Sequence, residues 1–427
     1  MAESLIGASL PADIRRTHYS GRTLDRLQSA RHERVLAGPD GTGRGLVRRG
    51  GGASRLDDPR KGHHRAAPAP PSRGRRVTVP VAEWGCRLTD AIRAALEAGD
   101  VARARRLVLE GDGQARGLAK EYTLMYRGLG TTIRVMLPLL GESASRAGAA
   151  GRDAARAEVV ALLRGFRRDM TALMTHAYGS VEAAGALDDG NDDLDDESAR
   201  TARFIDASEA RFDREQSRVA QEVVRALDGG DVEGARGLVG VKERAQYVPL
   251  HDGLVRFMAE SFGWVLRRGG AAELLRFHLA TAEGQRRGFE KWDAIPAGEF
   301  AWTTTFLLKQ HMGDVRVRED DEKFTLEQTL CGSGGRLRLA GAYEGPGALP
   351  FVEAPGPLTF GQRRLPVYCS HCPIWNGVAP IRWFGRPHWV FEDASRPDGS
   401  CTLHVYKRRD GAPPEYAVRL ATAVGGE

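Results

Sequence analysis

Four of the five cysteines in this 427-residue chain, Cys331, Cys369, Cys372 and Cys401, fall within its last hundred residues. Cys369-Ser370-His371-Cys372 forms a C-x-x-C turn. Two thiolates three positions apart can meet one metal ion with each sulfur about 2.3 Å away, as tetrahedral zinc requires. Cys331, 38 residues upstream, and Cys401, 29 downstream, each border a predicted strand and complete four ligands. Zinc is the expected ion and iron the alternative. His371 lies inside the turn, as a further ligand or a proton carrier. A site closed by four thiolates is structural, so catalysis predicts that one of the four cysteines is not a ligand. Two other readings stay open. The cysteines can be inert and buried, since free cysteine is among the most buried residue types. They can also include a redox dithiol, although the motif lacks the strand-to-helix junction of a thioredoxin-like unit.

Cys331-Gly332-Ser333-Gly334-Gly335 admits a sharper chemistry. Glycines after the cysteine permit tight backbone, so successive N–H groups could converge on an anion, with Cys331 as nucleophile and His371 or His388 as base. The alternative is a glycine hairpin that only places Cys331 as a ligand. His251-Asp252 is the third candidate: it opens a predicted helix over Leu250–Leu266 and is similar to the His-Asp pair of metal phosphohydrolases, which need further His and Asp ligands on other helices, or else it is a helix N-terminal turn where Asp252 meets the dipole. His278 and His311 read as core histidines. Glu319-Asp320-Asp321-Glu322 reads as a solvated turn. The acidic run from Asp188 to Glu197 lacks the glycine and bidentate glutamate of a calcium loop.

These residues must be held by the elements around them. Leu96-Glu97-Ala98-Gly99-Asp100-Val101 recurs as Leu227-Asp228-Gly229-Gly230-Asp231-Val232, a constant offset of 131. In each copy a helix ends at glycine and aspartate caps the next one. The pattern predicts two copies of one helical unit. His251-Asp252 then corresponds to Lys120-Glu121 in the first copy. Beyond His311 the apolar spacing changes to alternation, with short strands expected around Val315-Val317, Phe324-Leu326, Leu337-Leu339, Ile381-Trp383, Trp389-Phe391 and Leu403-Tyr406. The fold class expected is α+β: two helical repeats followed by a small, mostly antiparallel α+β domain that carries the cysteines. The divisions are a disordered basic tail at 1–80, helical repeat 1 at 81–185, an acidic linker at 186–200, helical repeat 2 at 201–312, the cysteine-rich domain at 313–410 and a tail at 411–427.

Charge is unevenly spread. Residues 1–76 carry 16 Arg/Lys against 7 Asp/Glu, a net +9 within a chain total of +6, so the rest sums to −3. The body therefore has no electrostatic footprint for nucleic acid. No run approaches the roughly 18 apolar residues of a membrane span, and no signal peptide is read, so a cytoplasmic protein without nucleic-acid or membrane partners is expected.

The order of a helical segment, a cysteine after a strand, a C-x-x-C turn and a cysteine opening a last strand resembles the L-2-amino-thiazoline-4-carboxylic acid hydrolase-like family over roughly 240–410. Cysteine stands at the second turn position where aspartate is expected, and Cys401 leads into Leu403-His404-Val405 rather than an acidic-aromatic strand. The resemblance implies a small-molecule enzyme of sulfur or amino-acid chemistry with cysteines at its working centre. The expectation is a metal-dependent hydrolase or lyase acting on a small sulfur- or nitrogen-containing metabolite, with Cys331, Cys369, Cys372 and Cys401 on zinc or iron and His371, His251 and Asp252 moving protons. The alternative is a non-catalytic ligand- or partner-binding protein whose C-terminal domain is stabilised by a structural zinc site closed by all four cysteines.

Overall fold

The computed structural model describes residues 77, 79–112, 114–146, 148, 151–179 and 193–421. The expected basic tail, up to residue 76, and the first part of the acidic run, 188–192, lie outside the described residues. Helices account for most of the remainder, with one four-stranded antiparallel sheet in the C-terminal region.

The first helical pair, α1 (Leu88–Glu97) and α2 (Val101–Glu110), leads into α3 (Thr123–Ser145) and α4 (Arg152–Tyr178). Next come α5 (Leu194–Asp228) and α6 (Val232–Gly240), then a π-helical stretch at Val241–Tyr247 that runs straight into α7 (Val248–Glu283). Two more helices follow, α8 (Arg286–Asp293) and α9 (Ala297–Gln310). The α1–α2 and α5–α6 corners share one geometry. Gly99 and Gly230 take φ of 73° and 77°, a left-handed conformation that favours glycine. Asp100 and Asp231 then accept the Arg103 and Gly234 N–H groups at 2.9 and 2.8 Å. A long helix follows each corner, α3 and α7, but the helices that lead into the corners differ: α1 has 10 residues and α5 has 35.

The structure departs from the expected boundaries at two places. The acidic linker ends early, because Asp193 caps α5 through the Asp195 and Asp196 N–H groups, so 194–200 is helical. Near the C-terminus, Pro414–Ala421 forms a helix whose Tyr416 and Leu420 are buried, rather than a tail.

The sheet runs β1 (Asp314–Glu319), β2 (Lys323–Leu330), β6 (Cys401–Tyr406), β5 (Val390–Asp393) in spatial order, every pair antiparallel. A second small ribbon pairs β3 (Phe351–Val352) with β4 (Leu365–Pro366). Two segments expected as strands are helices. Gly334–Leu339 forms a short helix, α10, entered through Gly332-Ser333. Ala379–Phe384 forms α12, with Pro380 in its first turn, where a missing N–H costs nothing. Between them, Val367–Ser370 (3-10), α11 (His371–Pro373) and a second π-helical stretch (Ile374–Val378) make one continuous helical run after β4. One buried apolar cluster joins helices and sheet, from Trp84 through Leu254 and Phe262 to Leu403 and Leu420. A smaller one closes the paired corners.

Candidate functional site

A cavity of about 1300 Å³ opens between the helices and the sheet. Cys331, Cys369, Cys372 and Cys401 all line it, together with His311 and His371. Trp292, Trp302 and Trp375 form apolar wall, and the half-buried Arg286 and the exposed Arg287 and Lys291 also border it. His251, Asp252 and His388 do not line the cavity.

The cysteine loop owes its shape to close approaches. A Cβ on Gly332 would stand 2.0 Å from the His311 carbonyl oxygen and 2.3 Å from the Gly313 nitrogen. Only glycine lets the loop lie against the end of α9. A Cβ on Gly334 would meet Cys369 Sγ at 2.7 Å, so the second glycine lets the C-x-x-C segment close on the loop. Cys331 itself continues the β2–β6 pairing, donating its N–H to the Gly399 carbonyl at 2.9 Å.

Cys331 Sγ lies 3.8 Å from Ser333 Oγ, and Cys401 Sγ accepts the Ser395 N–H at 3.0 Å. Of the two sulfurs, Cys331 is the better thiolate. The Cys401 thiol, the Ser333 and Gly335 N–H groups and the Arg338 charge together hold it well below the ordinary thiol range, against the opposing effect of burial. The Cys401 thiol is pushed well up by the neighbouring Cys331 side chain, then by burial and the Cys369 charge. Arg338 donates to Cys369 Sγ at 3.3 Å and to the Arg396 carbonyl at 3.1 Å. Burial works against its guanidinium, but the Cys369, Cys331 and Cys401 sulfurs outweigh it and reinforce the charge. Burial pushes the Cys369 and Cys372 thiols up.

His371 has a fixed tautomer. Its Nδ1 lies 2.5 Å from the Tyr368 carbonyl oxygen, which can only accept, so the ring proton sits on Nδ1. Nε2 is then a bare acceptor, 3.5 Å from Cys372 Sγ. Burial pulls this histidine down to about 4, so the ring is neutral near pH 7. Behind the motif, His278 is fully buried and bonds Ser370 Oγ at 2.9 Å, while Ser370 donates to the Val367 carbonyl at 2.6 Å. His278 is thus the core histidine expected, and it braces the C-x-x-C segment.

His251 and Asp252 reach the cavity only through another residue. Asp252 Oδ1 lies 2.8 Å from His251 Nδ1, and His251 Nε2 lies 2.9 Å from His311 Nδ1. Arg336 clamps the group: its Nε donates to both Asp252 oxygens at 3.1 and 3.0 Å, and its Nη1 to the His311 and Met312 carbonyls at 3.0 Å each. Those bonds hold the chain where Met312 takes a φ of 63°, rare for a side chain other than glycine. Arg336 Nη2 also sits 2.8 Å from His251 Nδ1, so two tautomers fit. With its proton on Nδ1, His251 donates to Asp252 and accepts from His311; with the proton on Nε2, it accepts from Arg336 and donates to His311. Burial lowers both histidines, and Arg336, with burial opposing it, keeps Asp252 below the usual carboxylate range. His311, expected as a core histidine, is therefore the one of this pair that borders the cavity. No local sequence signal separates it from any other residue ending a helix.

Three further expectations resolve here. His388, one candidate base for Cys331, sits instead against Asp293, 3.4 Å away, where burial pulls it down to about 4. Glu319-Asp320-Asp321-Glu322 is the β1–β2 turn, with Asp320 accepting the Glu322 and Lys323 N–H groups at 2.8 Å each. The C-x-x-C motif lies inside the helical run that follows β4, a two-residue strand of an antiparallel ribbon rather than of a thioredoxin-like unit. Among the described residues no group of three or more His, Cys, Asp or Glu side chains is arranged to hold a metal ion. Among them, too, no helix is long and apolar enough to cross a membrane.

No protein-family model matches the chain, and no curated protein and no solved structure matches it.

Proposed function

We propose that this protein is a small-molecule enzyme, a hydrolase or lyase acting on a carbon–sulfur or carbon–nitrogen bond, with Cys331 as its nucleophile. The observation that carries the reading is the setting of Cys331: on the cavity wall, 3.8 Å from Ser333 Oγ, near Arg338 and held against His311 by Gly332. A thiolate so placed can add to an electrophilic carbon of a substrate in the cavity. His371, neutral and with Nε2 bare, can accept a proton. His311 can give or take one as His251 changes tautomer, which makes His251 and Asp252 positioning residues. Arg286, Arg287 and Lys291 favour a substrate bearing a negative group, and the tryptophans favour one with an apolar part.

The test is a panel of small carboxylates carrying thioether, thiazoline, amide or amidine groups, scored for release of thiol or ammonia. Cys331→Ser should lower any turnover found by at least ~10³-fold, and Cys86→Ser should leave it unchanged. Full turnover by Cys331→Ser would falsify the reading.

A second reading keeps zinc, or iron, on Cys331, Cys369, Cys372 and Cys401. It is favoured by the four cysteines lining one cavity. The soft sulfur donors suit either ion, which when bound would polarise substrate or water. If all four sulfurs were engaged, the ion would only stabilise the domain of a ligand- or partner-binding protein. Arg338 favours the thiolate reading, because it brings positive charge to the sulfurs without an ion. Metal analysis of the purified full chain separates the two: one bound ion per chain, lost in the cysteine-to-serine variants, supports the metal reading.

A further inference from the structure

We infer that the cavity takes a carboxylate with a large apolar body, the class of a long-chain fatty acid or a polycyclic acid, and that Arg287 meets the carboxylate. The inference rests on the cavity being the substrate site of the enzyme proposed above, and it adds the size and character of the substrate. Three observations carry it. The first is volume. At about 1300 Å³ the space exceeds the roughly 300–1,000 Å³ that holds a drug-sized ligand, so a small carboxylate would leave most of it unfilled. The second is the lining. Leu124, Met125 and Leu129 come from α3, Met258 from α7, Phe306 from α9 and Phe391 from β5, so apolar side chains reach the space from helices and sheet alike. Met125, Leu129 and Met258 belong to the buried cluster, so the cavity enters the core rather than lying on the surface.

The third is the charge along α8. Arg286 is met by Glu283 at 3.4 Å and Glu290 at 3.2 Å, and its guanidinium lies over the Trp383 ring, 5.4 Å from the centroid. Asp112 accepts the Gln114 and Ala115 N–H groups at 3.2 and 3.3 Å, and Lys291 and Glu299 are engaged as well. Of the charged residues bordering the cavity, Arg287 alone has no ion pair or hydrogen bond to another side chain among the described residues. It is also exposed. A carboxylate beside it keeps its water while the apolar body enters the core, so no charge has to be buried.

The experiment measures binding rather than turnover. Straight-chain acids from butanoate to hexadecanoate, the matching primary alcohols and a sterol carboxylate are titrated into the full chain below their micelle concentrations, by calorimetry and tryptophan fluorescence. Affinity should rise about three- to fourfold per added methylene until the cavity is filled. Arg287→Gln should weaken each acid by roughly two- to fivefold and leave the alcohols unchanged. Tighter binding of the chains or of the sterol acid then identifies the apolar body. Cys331→Ser should bind long acids as the wild type does, because its sulfur serves neither the carboxylate nor the apolar contacts. Butanoate binding as tightly as dodecanoate overturns the inference, and so does an Arg287→Gln effect of equal size on acids and alcohols. The two readings fail separately. Turnover of small acids with no gain from chain length removes this inference and leaves the nucleophile standing, whereas length-dependent binding with no turnover of any acid does the opposite.

Discussion

His251 Nε2 lies 2.9 Å from His311 Nδ1, so a ring sealed in the core shares one hydrogen with a ring on the cavity wall. Removing the inner ring should leave His311 Nδ1, Asp252 and Arg336 each short of a partner. His251→Ala is expected to cost about 2–4 kcal/mol, combining a lost buried side chain with unsatisfied polar groups. Denaturant unfolding checks this, and His251→Gln, which can bond on one side, should cost less.

Burial lowers His251, His278, His311, His371 and His388, the last two to about 4. The unfolded chain therefore binds more protons than the folded one between about pH 6.5 and about pH 4. Stability should be fully present above pH 7 and decline as pH falls through that window. Unfolding midpoints at half-unit steps from pH 7.5 to 4.5 test the sign. His278→Gln should flatten the slope, and a rise in stability toward pH 5 would contradict the assignment.

Gly332 and Gly334 differ in what they touch. The obstacle at Gly332 is the backbone of His311 and Gly313, and at Gly334 it is the end of the Cys369 side chain. Gly332→Ala should thus destabilise by about 3 kcal/mol or prevent folding, while Gly334→Ala should cost about 1 kcal/mol. Thermal unfolding of the two variants side by side makes the comparison.

Arg336 is nearly fully buried and serves Asp252 and two backbone carbonyls at once. Arg336→Leu leaves all three without their donor, so a loss of about 3–5 kcal/mol is expected. Asp252→Asn should cost less, because the amide oxygen still accepts from Arg336. Equal losses in the two variants would show that the carbonyl contacts contribute little.

Much of this was legible in the sequence, but not all. The strands around Val315, Phe324, Val390 and Leu403 followed from alternating apolar residues, and both helical corners from a glycine followed by a capping aspartate. Four cysteines far apart in the chain do border one cavity. The helix at Gly334–Leu339 was missed because Leu337 and Leu339 alternate over too short a span to separate strand from helix. His311 was missed for a different reason. Its role arises from contacts with His251, 60 residues earlier, and with Arg336, 25 later, and no local pattern encodes either.

The central claim is that Cys331 holds the reactive thiolate. Its most direct measurement is competitive alkylation of the full chain by iodoacetamide from pH 5 to 9, with each cysteine followed at peptide level. Cys331 should react faster than exposed Cys86 below pH 7 and hold its rate as pH falls, and Cys401→Ala should move its midpoint upward. If Cys331 instead reacts no faster than Cys86 at every pH, or its rate rises only near the ordinary thiol range of about 8.5, the account is wrong.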